Sequence, residues 1–163
     1  RDWHGHEDDN IPFGVTYLQV DENKDITSAV KQALMKGRAY VTVGPEIEVL
    51  CKCGDACGGI GNNFYGESAE ISIIIMEGHR KEIWSKYLIT PKKLILVGMG
   101  GEEISSITFS GYDLPHVFKL RKMSKWVRCE LHGEVGQEDC EIIITNPLYF
   151  PNSLHNNSFI SEI

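Results

Sequence analysis

The sequence predicts a mainly β protein, an antiparallel β-sandwich, with a helix near its start. Three observations carry that expectation. From Glu46 onward, short apolar runs rich in Ile, Val, Tyr and Thr are separated by Gly, Asn, Asp or Pro. About seven such runs follow one another with no second amphipathic helix among them, as in a sandwich. The chain, at 163 residues, is also long enough to bury roughly 70% of its unfolded surface around a core.

Taken in order, VTYLQVD (15–21) reads as a strand and DITSAVKQALMK (25–36) as a helix. Asp25 or Thr27 can cap the helix, and Ile26, Val30, Ala33 and Leu34 recur on one face. Gly37 stands where a left-handed C-terminal cap belongs, after Lys36, which suits the helix dipole. RAYVTVG (38–44) alternates as a strand and stops at Gly44-Pro45. EIEVLCKC, AEISIIIME, KKLILVGM, EISSITFSG, HVFKLRKM, KWVRCELHG and CEIIITNPLYF then supply the sandwich strands. VGMGGEE and GGIGNN lack the spacing of a dinucleotide-binding loop and read as hairpin turns. The tail, residues 151–163, is polar with few anchors and reads as a docked extension or a poorly ordered end.

Charge and composition exclude several classes. A net charge of -7 disfavours non-specific nucleic-acid binding, which depends on Lys and Arg meeting phosphates. The densest basic stretch, KLRKMSKWVR, reads as one solvated strand face. No run approaches the ~18 apolar residues of a membrane span. Five cysteines cannot form a complete set of internal disulfides. Cys51, Cys53 and Cys57 form a C-x-C-x3-C cluster without an evident fourth zinc ligand, while Cys129 and Cys140 stand apart. Free thiols of a reducing compartment are expected. The first residues show no charged-then-apolar leader, and the expected location is cytoplasmic.

The residues with chemical promise lie at the start, in RDWHGHEDDNIPFG. On a strand, residues two apart point to the same side, so Asp2 and His4 would converge on one cation, with His6 following. A carboxylate and a neutral imidazole suit Zn, Mn or Fe. Two ligands alone do not define a site, and taken by themselves these residues are better explained as exposed polar residues. His6, Glu7 and Asp8 read as a solvated loop. The sandwich offers no catalytic set and no cofactor-binding residues. His79, His116, His132 and His155 are scattered without a carboxylate partner at readable spacing. Arg128 and Glu130 share a strand face and read as part of a cross-strand charge pair.

The order of several short runs adds a further expectation. Asp2-Trp3-His4, Pro12-Phe13-Gly14, Lys36-Gly37-Arg38-Ala39-Tyr40-Val41-Thr42 and Gly44-Pro45 are followed by Val127-Arg128-Cys129-Glu130 and Thr145-Asn146-Pro147-Leu148-Tyr149. Together they resemble the end of a PHP-domain (polymerase and histidinol phosphatase) metal-dependent phosphoesterase, of the CehA/McbA-like branch with a C-terminal β-sandwich. The resemblance spans residues 1 to 150. It implies that residues 1–45 are a strand/helix remnant of a β/α (PHP) barrel, 46–150 a β-sandwich domain and 151–163 a tail. Asp2 and His4 would be the last metal ligands of the parent enzyme. There, clustered divalent cations (Zn, Mn or Fe) would polarise a phosphate ester and activate water. Arg1 stands where that family has Ser. The family's other metal motifs, its opening His-x-His and the carboxylates and histidines of the middle barrel strands, are not found in these residues. His4-Gly5-His6 overlaps the closing motif and does not replace the opening one.

The expectation is therefore a C-terminal fragment that is inactive alone, binds no metal tightly, and has as partner the missing N-terminal barrel of its own chain or a second copy. The alternative is a non-catalytic β-sandwich module for binding or oligomerisation.

Overall fold

The computed structural model describes residues 14–78, 81, 86–121 and 124–151. Asp2, His4, His6, Glu7, Asp8, His79, His155 and most of the tail lie outside them. The protein is mainly β and its sheets are antiparallel. The first strands are β1 (Val15–Leu18), β2 (Ala39–Thr42), β3 (Glu46–Cys53), β4 (Ala56–Gly58) and β5 (Ala69–Met76). They are followed by β6 (Ile89–Val97), β7 (Glu103–Thr108), β8 (Pro115–Leu120), β9 (Trp126–Val135), β10 (Glu138–Thr145) and β11 (Leu148–Tyr149). One sheet has the order β1-β2-β10-β9-β6-β7, with β11 also pairing β9; the other has the order β4-β3-β5-β8.

Alternation explains why the sheets stack. On β3, Ile47, Val49, Cys51 and Cys53 are buried while Glu48, Leu50 and Lys52 are exposed. β5 buries Ala69, Ile71, Ile73 and Ile75 in the same rhythm. These residues meet Leu94, Leu96, Val127, Cys129, Leu131 and Ile143 from the other sheet in one core. Each fully buried Ile or Leu contributes about 1.5–3 kcal/mol by leaving water. A β-bulge between Glu141 and Ile143 lets β10 bury both Ile142 and Ile143.

The helix α1 spans Ile26–Met35. Asp25 caps it, its side chain accepting from the Ser28 N–H at 3.0 Å. Gly37 takes φ +64°, and the Gly37 and Arg38 N–H groups bond the Leu34 and Ala33 carbonyls at 3.1 and 2.9 Å. This double closure satisfies carbonyls left over at the helix end. The buried face differs from the expected one. Ala29 and Ala33 are covered, whereas Ile26, Leu34 and Met35 are 70%, 60% and 77% exposed. Small alanines permit close approach to the body, so the larger residues are turned outward.

Other differences concern connections. GGIGNN is not a hairpin turn. It begins the connection from β4 to β5 of the same sheet and packs on the way against residues 147–149, burying Ile60 and bonding Gly61 N–H to the Pro147 carbonyl at 2.9 Å. The basic stretch KLRKMSKWVR is divided between the end of β8, a connection and the start of β9, so it is not one strand face. Strand β2 pairs β10 and joins the larger sheet. VGMGGEE does form the turn between β6 and β7, with Gly100 and Gly101 at φ +85° and +82°.

Candidate functional site

Strand β9 crosses the middle of the larger sheet, and its two faces carry different chemistry. Val127, Cys129 and Leu131 point into the core, each at most 1% exposed. Trp126, Arg128, Glu130, His132 and Glu134 point outward. Glu130 is the centre of this outward strip, with its side chain only 7% exposed. Arg128 donates to Glu130 Oε1 from Nε at 2.7 Å, with Nη2 2.5 Å from the same oxygen. His132 Nε2 lies 2.7 Å from Glu130 Oε2. The carboxylate thus has a partner on each oxygen, which offsets the cost of removing it from water.

The partners of Glu130 are therefore two residues before and after it on its own strand. The expected cross-strand pairing of Arg128 with Glu130 is replaced by one along the strand. His132 also has the carboxylate neighbour that sequence reading did not assign. The signal was present in the E-x-H spacing, since residues two apart share a face, but burial was needed to give it weight.

Neighbouring strands frame the strip. Pairing places Ser106, Ile95, Glu130, Ile144, Val41 and Thr16 in one row across the outer face. Lys93 lies opposite His132 and is 3.0 Å from both carboxylate oxygens of Glu103. Hydrogen bonds from Ser106 and Lys93 hold the Glu103 carboxyl below its ordinary range. Lys92 pairs with Glu134. Arg128 sits 6.0 Å from the Trp126 ring centroid.

Such a strip can orient an imidazole and present charge to a partner. It lacks the nucleophile needed for a triad, because the adjacent thiol, Cys129, faces the core. Burial pushes the Cys129 thiol up to about 12, unsuited to attack.

The cysteine cluster divides as well. Cys51 and Cys53 are buried, whereas Cys57 is exposed and pairs with Lys52, a position that points away from them. Burial pushes the Cys51 thiol up to about 12, with smaller contributions from Cys53 and Cys57. Among the described residues no group of three or more His, Cys, Asp or Glu is placed to hold a metal ion. His116 is packed rather than exposed: it stacks on Phe109 at 5.3 Å, and its Nε2 accepts the Ser110 N–H at 3.2 Å.

Comparison with family models, curated proteins and solved structures returns no match.

The runs at 36–45 and 145–149 have structural roles. Thr42 donates to the Pro45 carbonyl at 2.6 Å and accepts from the Gly44 N–H at 3.0 Å, closing the bend from β2 into β3. Thr145, 3% exposed, accepts the Cys129 N–H at 2.9 Å. The two runs, far apart in sequence, are hydrogen-bonded neighbours, with Thr145 opposite Tyr40 and Ile143 opposite Thr42. Among the described residues no helix is long and apolar enough to cross a membrane.

Proposed function

We propose that this chain is the non-catalytic β-sandwich part of a PHP-type metal-dependent phosphoesterase. In that reading Asp2 and His4 contribute to a divalent-metal cluster, and the chain by itself is inactive. The observation that carries the reading is the meeting of its two most distinctive runs. KGRAYVTVGP supplies β2, and the start of TNPLY lies against it: Thr145, the last residue of β10, is opposite Tyr40, and the Asn146 N–H bonds the Ala39 carbonyl at 2.9 Å, so their joint presence reflects one structural unit. A carboxylate and an imidazole match the donor chemistry of Zn, Mn or Fe, yet fall short of the roughly four ligands such a cation takes. The remaining ligands would come from a barrel outside these residues. When bound, the cations would activate water for attack on a phosphate ester.

Metal analysis and a phosphatase assay test this. The 163-residue chain should retain less than stoichiometric Zn, Mn or Fe and should not turn over a generic phosphate ester. In a polypeptide that also carries the barrel, Asp2→Ala or His4→Ala should lower activity about a hundredfold, in line with loss of metal support. Full activity in either variant would remove the reading.

A second reading, a binding or oligomerisation module, is favoured by α1. Ile26, Val30, Leu34 and Met35 form an apolar ridge along its outward side. Light scattering distinguishes the two. A dimer that Leu34→Glu converts to a monomer supports oligomerisation, and a monomer at high concentration counts against it.

A further inference from the structure

A different part of the molecule bears on a question independent of the phosphoesterase reading. Where β1 ends, β2 begins and the connection to β5 leaves β4, a concavity of about 350 Å³ opens among Gln19, Arg38, Cys57, Gly58, Gly59 and Asn62. Three separate chain segments build it. The Gln19 N–H bonds the Arg38 carbonyl at 2.9 Å, and the Asn62 N–H bonds the Gly59 carbonyl at 3.2 Å, fixing two of its walls. Gly59 in particular shapes the third. A Cβ on Gly59 would come within 2.9 Å of the Val49 carbonyl, and one on Gly58 within 3.0 Å of the Asn62 amide.

The chemistry of the lining is one-sided. Arg38 is half-buried, and its guanidinium makes no hydrogen bond or ion pair among the described residues. The side-chain amides of Gln19 and Asn62 are also without partners there. Among the described residues no Asp or Glu lines the concavity, although the chain as a whole carries a net charge of -7. Guanidinium offers five donors in a fixed fork and no acceptor, a geometry that matches the paired oxygens of a carboxylate or phosphate. An unpaired guanidinium on a half-buried arginine, beside two idle amides, is a polar arrangement that a ligand would complete. The volume exceeds that of a bare oxyanion, and Val20 and Ile60 supply an apolar contribution to the wall.

We infer that this concavity binds a small organic oxyanion, with Arg38 gripping the charged head and Gln19 and Asn62 donating beside it. The shared chemistry is an oxyanion on a compact organic body; a phosphate monoester and a carboxylate are its two sources.

Cys57 supplies the measurement, because it is an exposed free thiol on the rim. The full chain is alkylated with iodoacetamide, with and without millimolar phenyl phosphate or benzoate, and the rate at each cysteine is read by peptide mass spectrometry. At least one probe should slow Cys57 threefold or more while leaving Cys140 unchanged, and the better protector identifies the head group. Arg38→Ala should abolish the protection. Should that variant melt early, Arg38→Gln, which keeps most of the stem without the charge, reads the same loss. Absence of protection by both probes, equal protection in the Arg38 variant, or equal slowing of Cys140 would each overturn the site. None of these outcomes bears on metal content or phosphatase activity, so the site and the phosphoesterase reading fail separately.

Discussion

The two sheets are alike on their inner faces and unlike on their outer ones. Inside, both offer a plain apolar surface: Ile71, Ile73 and Ile75 from one, Leu94, Leu96 and Leu131 from the other, all at 0% exposure. Outside, the four-stranded sheet is open to water, with Glu48, Leu50, Lys52, Val117 and Lys119 all exposed. The seven-stranded sheet is so only in part. On its outer face Val41 and Ile144 are 45% and 37% exposed, whereas Ile95, Val97 and Glu130 are buried at 8%, 6% and 6% exposure. A solvated outer face is sufficient for a fold; a face on which a carboxylate is buried and fully partnered is a more specific arrangement. The strip on β9 is therefore the surface on this sheet that selection for stability alone does not require.

The likeness of the inner faces can be broken with alkali, which has the largest expected effect. Cys51 belongs to one sheet and Cys129 to the other, and burial raises both thiols from 9.0 to about 12. The folded chain therefore holds these protons more tightly than the unfolded chain. Their stabilising contribution is complete below about pH 9 and is lost as pH rises toward 12. Urea midpoints measured from pH 7 upward should be level at first and then fall to complete unfolding. Replacing Cys51 and Cys129 together by Val should flatten that fall.

Next in size is Leu131→Ala, a truncation on the inner face of β9. It should cost about 3 kcal/mol in urea unfolding, within the range for a buried leucine that leaves a cavity. A change on the outer face of the same strand sharpens the contrast. Glu130→Ala leaves Arg128 facing His132 without the carboxylate, and should cost about 2 kcal/mol, discounted because Arg128 is 36% exposed. A value near zero would mean that the strip is ordinary surface. Smallest is Glu70→Ala on the other sheet. Its partner Lys119 is 3.9 Å away and 80% exposed, so the loss should be below about 0.5 kcal/mol.

Much of this architecture was legible because strand alternation is a local property. Each of the seven apolar runs named from the sequence contains a strand or most of one, and the cap at Asp25 and the turn at Gly37 were visible as residue types in the right places. Strand β4 was not visible. Its three residues, Ala56, Cys57 and Gly58, carry little β preference and are held by pairing with Cys51, Lys52 and Cys53. The exposed ridge of α1 was hidden for a related reason. Periodicity reveals that a helix has an apolar side but not which side the body covers. GGIGNN misled because glycine marks a tight backbone without stating whether the chain reverses at once or runs on as a longer connection. The Glu130 strip depended on burial, a non-local quantity. Arg38 gave no warning at all, since an unpaired cation is recognised by what fails to surround it.

Gly61 sets a limit on how this molecule can vary. Its φ is +80°, and a Cβ there would lie 2.0 Å from the Lys36 carbonyl oxygen at the end of α1. Backbone meets backbone at that point, so no rotamer change could make room. Any descendant or cousin that keeps the helix seated on this loop must keep glycine at 61, even where neighbouring positions drift. Replacement by alanine would unseat the helix end and the rim of the Arg38 hollow in the same event, linking two features whose residues otherwise share no chemistry.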